Sequence, residues 1–401
     1  MLRPSPHRIV DRKKRALALM LHYALRPAFD IHRLSRGLRV TGGRRFGEMK
    51  KVLLIRIDGL GDMAMSAPVF SSVRKVFPNA RITLLTASWS RGIAEALEGL
   101  DEIICFDAPW MVKGRIERKE SVLKVIRRLR KERFDLAVDF RGDFRNNILM
   151  YLTKAEYRVG FDITGCGYLL TDVVPCDSDH HPTKMCLAAM KYLAPACEIA
   201  SEHKLKTTEA DRGYIHELLA RNGVYPAGAP VVVIHPGAKW EGRWWEARRY
   251  AEVADRLIEE YGASIVISGA PADVHLAGQI AGLMKNKAAV VAGKTSLRQF
   301  LALLDRSCLF IGVDSGPMHM AAAMGTRVVA LFGPALAQAV GPYGSGHIVV
   351  TKQRLFPCSP CAQTACKMAD FNCMKAITTE DVWAAVREQM DAVIPRRRQG
   401  A

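Results

Sequence analysis

The chain has 401 residues, 49% of them hydrophobic and 24% charged, which suits two globular domains of ordinary size rather than one. No apolar run reaches the roughly 18 residues needed to span a bilayer, and the short run at 16–21 has no cleavage-site pattern after it, so neither a spanning helix nor a secretory signal is expected. The formal charge of +18 is uneven: residues 1–50 hold thirteen Lys or Arg against three Asp or Glu, and Arg396, Arg397 and Arg398 lie near the end. That pattern points to an acidic partner surface (anionic lipid, a phosphorylated substrate or nucleic acid) or to a solvated arm.

Residues 8–25 read as a basic amphipathic helix, with Arg12, Lys13, Lys14 and Arg15 beside Leu17, Leu19, Leu21 and Leu25. Such a segment suits an anionic membrane surface, the competing reading being a helix packed on the protein itself. Segment 35–49, rich in Gly and Arg, reads as a linker. From Lys51 the pattern becomes alternating strands and helices. A buried strand at 52–57 is followed by a helix at 64–77, strands at 81–85, 103–106 and 135–140, and a helix at 120–133. A second series has strands at 231–235, 264–268, 289–292, 308–313 and 327–332. Its helices read at 246–261, 272–284, 296–305 and 317–324, then a loop at 333–346 and a last helix at 379–391. The fold class is α/β: two Rossmann-like doubly wound domains, joined within 195–228 and expected to face each other across a cleft.

Three strand-to-helix turns carry candidate chemistry. The first runs from Arg56 through Asp58, Gly59, Gly61 and Asp62 to Ala64. Gly59 and Gly61 permit a tight turn at positive φ and close approach of a ligand. The turn matches G-x-G-x-x-A, a dinucleotide fingerprint. The next strand, however, ends in Thr86-Ala87-Ser88 without the acidic residue that holds a ribose, which demotes an NAD-dependent oxidoreductase. Asp62 remains as a carboxylate at a helix start, its plain alternative being a helix cap. The second turn, His235 to Trp245, supplies Lys239 and Arg243 as cations for a diphosphate and tryptophans as flat surfaces. The third, Asp314-Ser315-Gly316-Pro317-Met318-His319, opens a helix whose free N–H groups and dipole suit a phosphate.

Ten cysteines are many. Cys105, Cys166, Cys176, Cys186, Cys197 and Cys308 are scattered and read as reduced thiols. Cys358, Cys361, Cys366 and Cys373 are spaced closely enough for zinc or an iron–sulfur cluster. Loop thiols or a disulfide are the preferred reading, and no metal is placed in the candidate site.

Together the stretches KKVLLIRIDGLGDMAMSAPVF, VVVIHPGAKWEGRWWEARRYAEVADRL, ISGAPAD, FIGVDSGPMHMAAAMGTRVVALFGP and the late CSPC resemble glycosyltransferase family 9, the heptosyltransferases of bacterial lipopolysaccharide core assembly. The resemblance implies two Rossmann-like domains in the GT-B arrangement and metal-independent, inverting sugar transfer without a cofactor. It also implies an ADP-sugar donor, commonly ADP-heptose, and a glycolipid acceptor at the cytoplasmic face of the inner membrane. It places Asp62 on the family's general base, with Gly59 and Gly61 in the acceptor loop. Asp314, Ser315, Gly316 and His319 fall on the donor nucleotide-diphosphate site, and Asp273 on an acidic position at the nucleotide pocket. Arg243 stands where the family's Lys-Arg-Trp-Pro pattern has Lys, Trp245 matches the Trp, and Glu246 replaces the Pro. The implied organisation is an extension at 1–48, an acceptor domain at 49–205, a donor domain at 206–375 and a helical, basic end at 376–401. Nucleic acid is not an expected partner, since the basic arm carries no recognition motif.

Overall fold

The computed structural model describes residues 20, 46–111, 121–176, 181–200, 205–224, 228–358, 361, 366, 368 and 370–394. Apart from Met20, the expected basic helix at 8–25 lies outside the described residues, as do most of the linker at 35–49 and Arg396–Arg398. The chain divides into two compact units, residues 1–201 and 202–401.

The first unit contains strands β1 (Lys51–Arg56), β2 (Arg81–Thr86), β3 (Glu102–Cys105), β4 (Leu136–Asp139), β5 (Tyr157–Gly160) and β6 (Asp172–Val173). They form one sheet in the order β3-β2-β1-β4-β5-β6, and every pairing is parallel. Helices α1 (Leu60–Met65), α2 (Ala67–Val76), α3 (Arg91–Ala94), α4 (Val122–Glu132), α5 (Phe144–Thr153) and α6 (Pro182–Leu193) make the crossovers and cover the faces. Val52, Leu53, Leu54 and Ile55 are all fully buried, as a central parallel strand covered on both faces requires. Phe46, at the end of the expected linker, is itself buried and packs edge-on against Tyr157 at 6.0 Å.

The second unit repeats the plan. Strands β7 (Val231–His235), β8 (Ser264–Ile267), β9 (Ala289–Val290), β10 (Leu309–Val313), β11 (Arg327–Phe332) and β12 (Ile348–Thr351) pair in the order β12-β11-β10-β7-β8-β9, again all parallel. Helices α7 (Glu209–Arg221), α8 (Ala247–Tyr261), α9 (Val274–Leu283), α10 (Leu297–Arg306), α11 (Gly316–Ala323), α12 (Ala337–Val340), α13 (Asn372–Lys375) and α14 (Thr379–Val393) complete it. Numbered within its own unit, each sheet has the Rossmann order 3-2-1-4-5-6. The strand order reverses between β1 and β4 in one unit and between β7 and β10 in the other, and ligands bind beyond the strand ends at such a point. Both sheets thus confirm the doubly wound α/β class.

Two expected elements differ: the loop read at 333–346 holds the short helix α12 (Ala337–Val340), and the first helix is divided. The helix read at 64–77 is two helices broken at Ser66. Ser66 Oγ donates to the Asp62 carbonyl at 2.8 Å, competing with the backbone ladder, and Pro68 supplies no N–H to continue it.

Candidate functional site

At the end of β1, the buried Arg56 ties three segments together. Its Nε and Nη2 donate to the Asp62 carbonyl at 3.2 and 2.9 Å, and Nη1 donates to the Phe140 carbonyl beyond β4 at 3.0 Å. Nη1 also lies 3.1 Å from the Asp58 carboxylate, which is buried and is bonded from its other side by Arg141. Asp58 therefore anchors two arginines across the β1–β4 switch point. Burial works against the charge on Arg141, but Asp58, with Asp62 and Asp143, more than offsets it and raises the guanidinium pKa.

Asp62 stands differently. Its side chain is 40% exposed, with Oδ1 3.8 Å from Arg56 Nη2. Oδ2 accepts the Gly59 N–H at 3.1 Å, so the carboxylate closes the first turn of α1. The helix-cap reading is thus realised, while one oxygen stays clear of that cap. Gly59 and Gly61 are not at positive φ, contrary to the expectation. Gly59 is extended at φ −72°, and Gly61 lies inside α1. A Cβ at Gly59 would stand 3.2 Å from Asp62 Oδ2, so a side chain there would push the carboxylate aside by a few tenths of an ångström.

Sequence reasoning missed the other side of this switch point. Asp139 ends β4 fully buried, accepting N–H groups from Gly142 at 2.6 Å and Arg141 at 3.2 Å, and the Asn146 amide at 2.8 Å. Burial pushes its pKa up to about 7; these bonds oppose the rise and neighbouring Asp58 adds to it. Asp143 then caps α5 by accepting the Arg145 N–H at 2.9 Å. The available signal was the dense charge run Asp139-Phe140-Arg141-Gly142-Asp143 at a strand end.

In the second unit, the loop after β7 meets the loop after β10. Arg243 Nη1 donates to the Asp314 carbonyl at 2.9 Å and lies 3.1 Å from the Asp314 carboxylate, an ion-pair contact without hydrogen-bond alignment. Burial raises the Asp314 pKa and Arg243 opposes it. Ser315 is the N-cap of α11, at φ −156° and ψ 165°, yet its side chain makes no capping bond. Its Oγ is buried with no hydrogen-bond partner among the described residues. Gly316 begins α11, Pro317 follows it, and His319 is buried one turn in.

Asp273 joins this region from the end of β8. Its Oδ2 accepts the Ala270 N–H at 2.8 Å. Glycine is needed opposite it, because a Cβ at Gly237 would meet Asp273 Oδ1 at 2.3 Å. The same carboxylate acts on His235, whose Nδ1 lies 3.1 Å from Ser268 Oγ. Ser268 Oγ donates to the Ile234 carbonyl at 3.2 Å, which assigns the proton of the contact to His235 Nδ1. Burial lowers the His235 pKa to about 4, against the pull of Asp273, so the ring is neutral at neutral pH. Lys239 is exposed in the same loop. Trp245 is not a ligand surface: it is 2% exposed, packs on Tyr250 and donates from Nε1 to the Ile377 carbonyl at 2.8 Å. Trp244, 40% exposed, is the open indole.

The cysteines divide as well. Cys366 Sγ accepts the Phe371 N–H at 3.4 Å, and burial raises the Cys373 thiol pKa, with Cys358 and Cys366 close enough to add to it. No disulfide joins any of the ten. Among the described residues no group of three His, Cys, Asp or Glu could hold a metal ion, and no helix is long and apolar enough to cross a membrane.

The sequence profile of glycosyltransferase family 9 (heptosyltransferase) matches residues 122–371. The chain belongs to that family. Family 9 membership makes it a glycosyltransferase and sets aside the hydride-transfer reading of the first glycine turn. Among relatives, the lipooligosaccharide heptosyltransferase 2 of Campylobacter jejuni is 24% identical over 336 residues, 82% of this chain and 96% of its own. The structure of Escherichia coli ADP-heptose lps heptosyltransferase II superposes with a TM-score of 0.66 at 21% identity, covering 86% of this chain and 99% of that one. E. coli heptosyltransferase WaaC with ADP gives 0.63 at 15%, covering 84% and 99%. These likenesses agree with two Rossmann-like units of the GT-B kind.

Proposed function

We propose that this family 9 enzyme moves a heptose-type sugar from an ADP-sugar donor to a lipopolysaccharide-core or related glycolipid acceptor, with inversion and without a metal or cofactor. The observation that carries the donor assignment is the buried Ser315 hydroxyl, unpartnered at the N-terminus of α11 beside the Arg243–Asp314 contact. An unsatisfied buried hydroxyl is costly unless a ligand completes it, and helix N-termini favour phosphate. The Ser315 and Gly316 N–H groups, Arg243, Lys239 and His319 would hold the diphosphate, and Asp273 the nucleoside side. The named relatives act on lipooligosaccharide and on ADP-heptose, which supports the choice of both substrates.

In the reaction, the acceptor hydroxyl attacks the anomeric carbon, the bond from that carbon to the diphosphate oxygen breaks, and ADP leaves. Asp62 accepts the hydroxyl proton through the oxygen not engaged by Gly59. Charge gathering on the diphosphate is met by Arg243, Lys239 and the α11 N–H groups. The basic segment 8–25 belongs to the same proposal, holding the enzyme at the anionic cytoplasmic face of the inner membrane where such an acceptor resides. A thermal-shift comparison of ADP, UDP and GDP tests the donor assignment. ADP is expected to raise the melting temperature most, and a larger shift with UDP or GDP contradicts it.

A further inference from the structure

Helices α4 and α5 of the first unit build a surface to which the proposed reaction assigns no residue. Helix α4 carries Lys124, Arg127, Arg128, Arg130 and Lys131 against a single acid, Glu132. All five cations are exposed, while Val125, Ile126 and Leu129 hold the helix on the sheet. The nearby carboxylates are already engaged: Glu132 with Lys51 at 3.4 Å, and Glu102 with Arg81 and Arg128 at 3.1 Å each. Helical spacing puts Leu123, Arg127 and Arg130 on one stripe, and Leu123 is 62% exposed.

On the same helix, Val122 and Ile126, each next in sequence to a stripe residue, line an apolar cavity of about 140 Å³ together with Trp110, Arg145, Ile148, Leu149 and Leu152. Arg145 is held by Asp143 and lies over the Trp110 ring at 5.9 Å. On the α5 side, Tyr151 and Leu152 are each 38% exposed, and Arg158 lies over the Tyr151 ring at 5.7 Å. Apolar openings at a protein surface mark sites for apolar guests or membranes. Cations beside exposed leucine and tyrosine, around an apolar opening, have the chemistry of a membrane interface.

We propose that the α4–α5 face docks on an anionic phospholipid surface, with lipid phosphates on Arg127, Arg130 and Lys131 and an acyl segment in the cavity beside Trp110. The inference rests on the glycolipid-acceptor reading, and it places membrane contact in the folded first unit, independently of residues 8–25. The partner is a bilayer and not nucleic acid because the cationic stripe is continuous with exposed leucine and an apolar cavity.

The test is co-sedimentation of the full chain with vesicles of phosphatidylglycerol and phosphatidylethanolamine at moderate salt. Arg127→Glu/Arg130→Glu is expected to lower partition by roughly tenfold or more, and Leu123→Asp to lower it as well. Both leave turnover on a delipidated acceptor unchanged, since these side chains are exposed on α4 and belong to neither switch-point loop. Vesicles with brominated acyl chains should quench tryptophan fluorescence, and Trp110→Phe should remove part of that quenching. If Arg127→Glu/Arg130→Glu binds like the parent while Arg12→Glu/Lys14→Glu loses binding, the α4–α5 assignment is overturned and membrane attachment stands. If the parent chain ignores anionic vesicles, both fall. If the α4 variant loses affinity for duplex RNA but not for vesicles, the face belongs to nucleic acid and the proposal is overturned.

Discussion

The Arg243 guanidinium and the Asp314 backbone tie the two central strands of the second sheet together beyond their ends, with Nη1 2.9 Å from the Asp314 carbonyl oxygen. Arg141 and Asp58 form the corresponding tie in the first sheet, across β1 and β4. In each unit an arginine–aspartate pair thus fixes the two loops that flank the switch point. The pair in the first unit holds the loop that carries Asp62 and the pair in the second the loop that carries Ser315, and in the proposed reaction Arg243 would also meet the diphosphate.

Ser315→Ala separates ligand binding from folding. The Oγ has no hydrogen-bond partner among the described residues, so its loss should leave stability unchanged or raise it by up to about 1 kcal/mol. ADP affinity should fall roughly threefold to tenfold, the worth of one hydrogen bond. Calorimetric titration with ADP and urea unfolding read the two quantities, and an unchanged ADP affinity would remove Ser315 from the donor site.

Asp58→Asn should act on the fold first. Asp58 is 1% exposed and lies against Arg56 and Arg141. Removing its charge leaves two guanidinium groups, one of them deeply buried, with only the 3.8 Å contacts to the Asp62 and Asp143 carboxylates, at a cost of about 3–5 kcal/mol. Urea unfolding checks this. A loss under 1 kcal/mol would show that the arginines find other partners.

His235 gives a pH dependence of known sign. Its folded pKa is lowered to about 4 from an ordinary 6.5, so between these values the unfolded chain binds more protons than the native one. Its contribution is complete above about pH 6.5 and is lost as pH falls towards 4, amounting to roughly 3 kcal/mol at most. His235→Gln should flatten that limb of the stability profile. A parallel profile in the variant would assign the acid loss elsewhere.

Asp62→Asn keeps the Gly59 contact and removes the proton acceptor. Turnover is expected to fall about a hundredfold or more, with the melting temperature and ADP affinity nearly unchanged. Near-full activity in this variant would leave Asp62 as the helix cap alone.

The buried central strands were legible because Val52–Ile55, Val231–His235 and Arg327–Phe332 are apolar runs bounded by turn residues. Helix α5 was not, because Asn146 and Asn147 sit on its buried face and break the apolar period. The two-residue pairing of β6 and the short β5 and β12 carry too little pattern to stand out. At the site, Asp62 and the Asp314–His319 turn were legible from their place between strand and helix. Trp245 was misread because an indole in a cationic loop looks like a ligand platform, whereas its N–H is spent on Ile377. The Asp139–Arg141 half of the first switch point was missed because its partners lie eighty residues upstream in the chain, at Arg56 and Asp58, and only the parallel β1–β4 pairing brings them together.

The central claim is donor-specific sugar transfer, and the direct measurement is product formation from ADP-heptose and a heptose-deficient lipopolysaccharide core. The expected result is a heptosylated core with stoichiometric ADP, dependence on the acceptor, and an anomeric configuration opposite to that of the donor. Faster transfer from a UDP- or GDP-sugar, or retained configuration in the product, would contradict it.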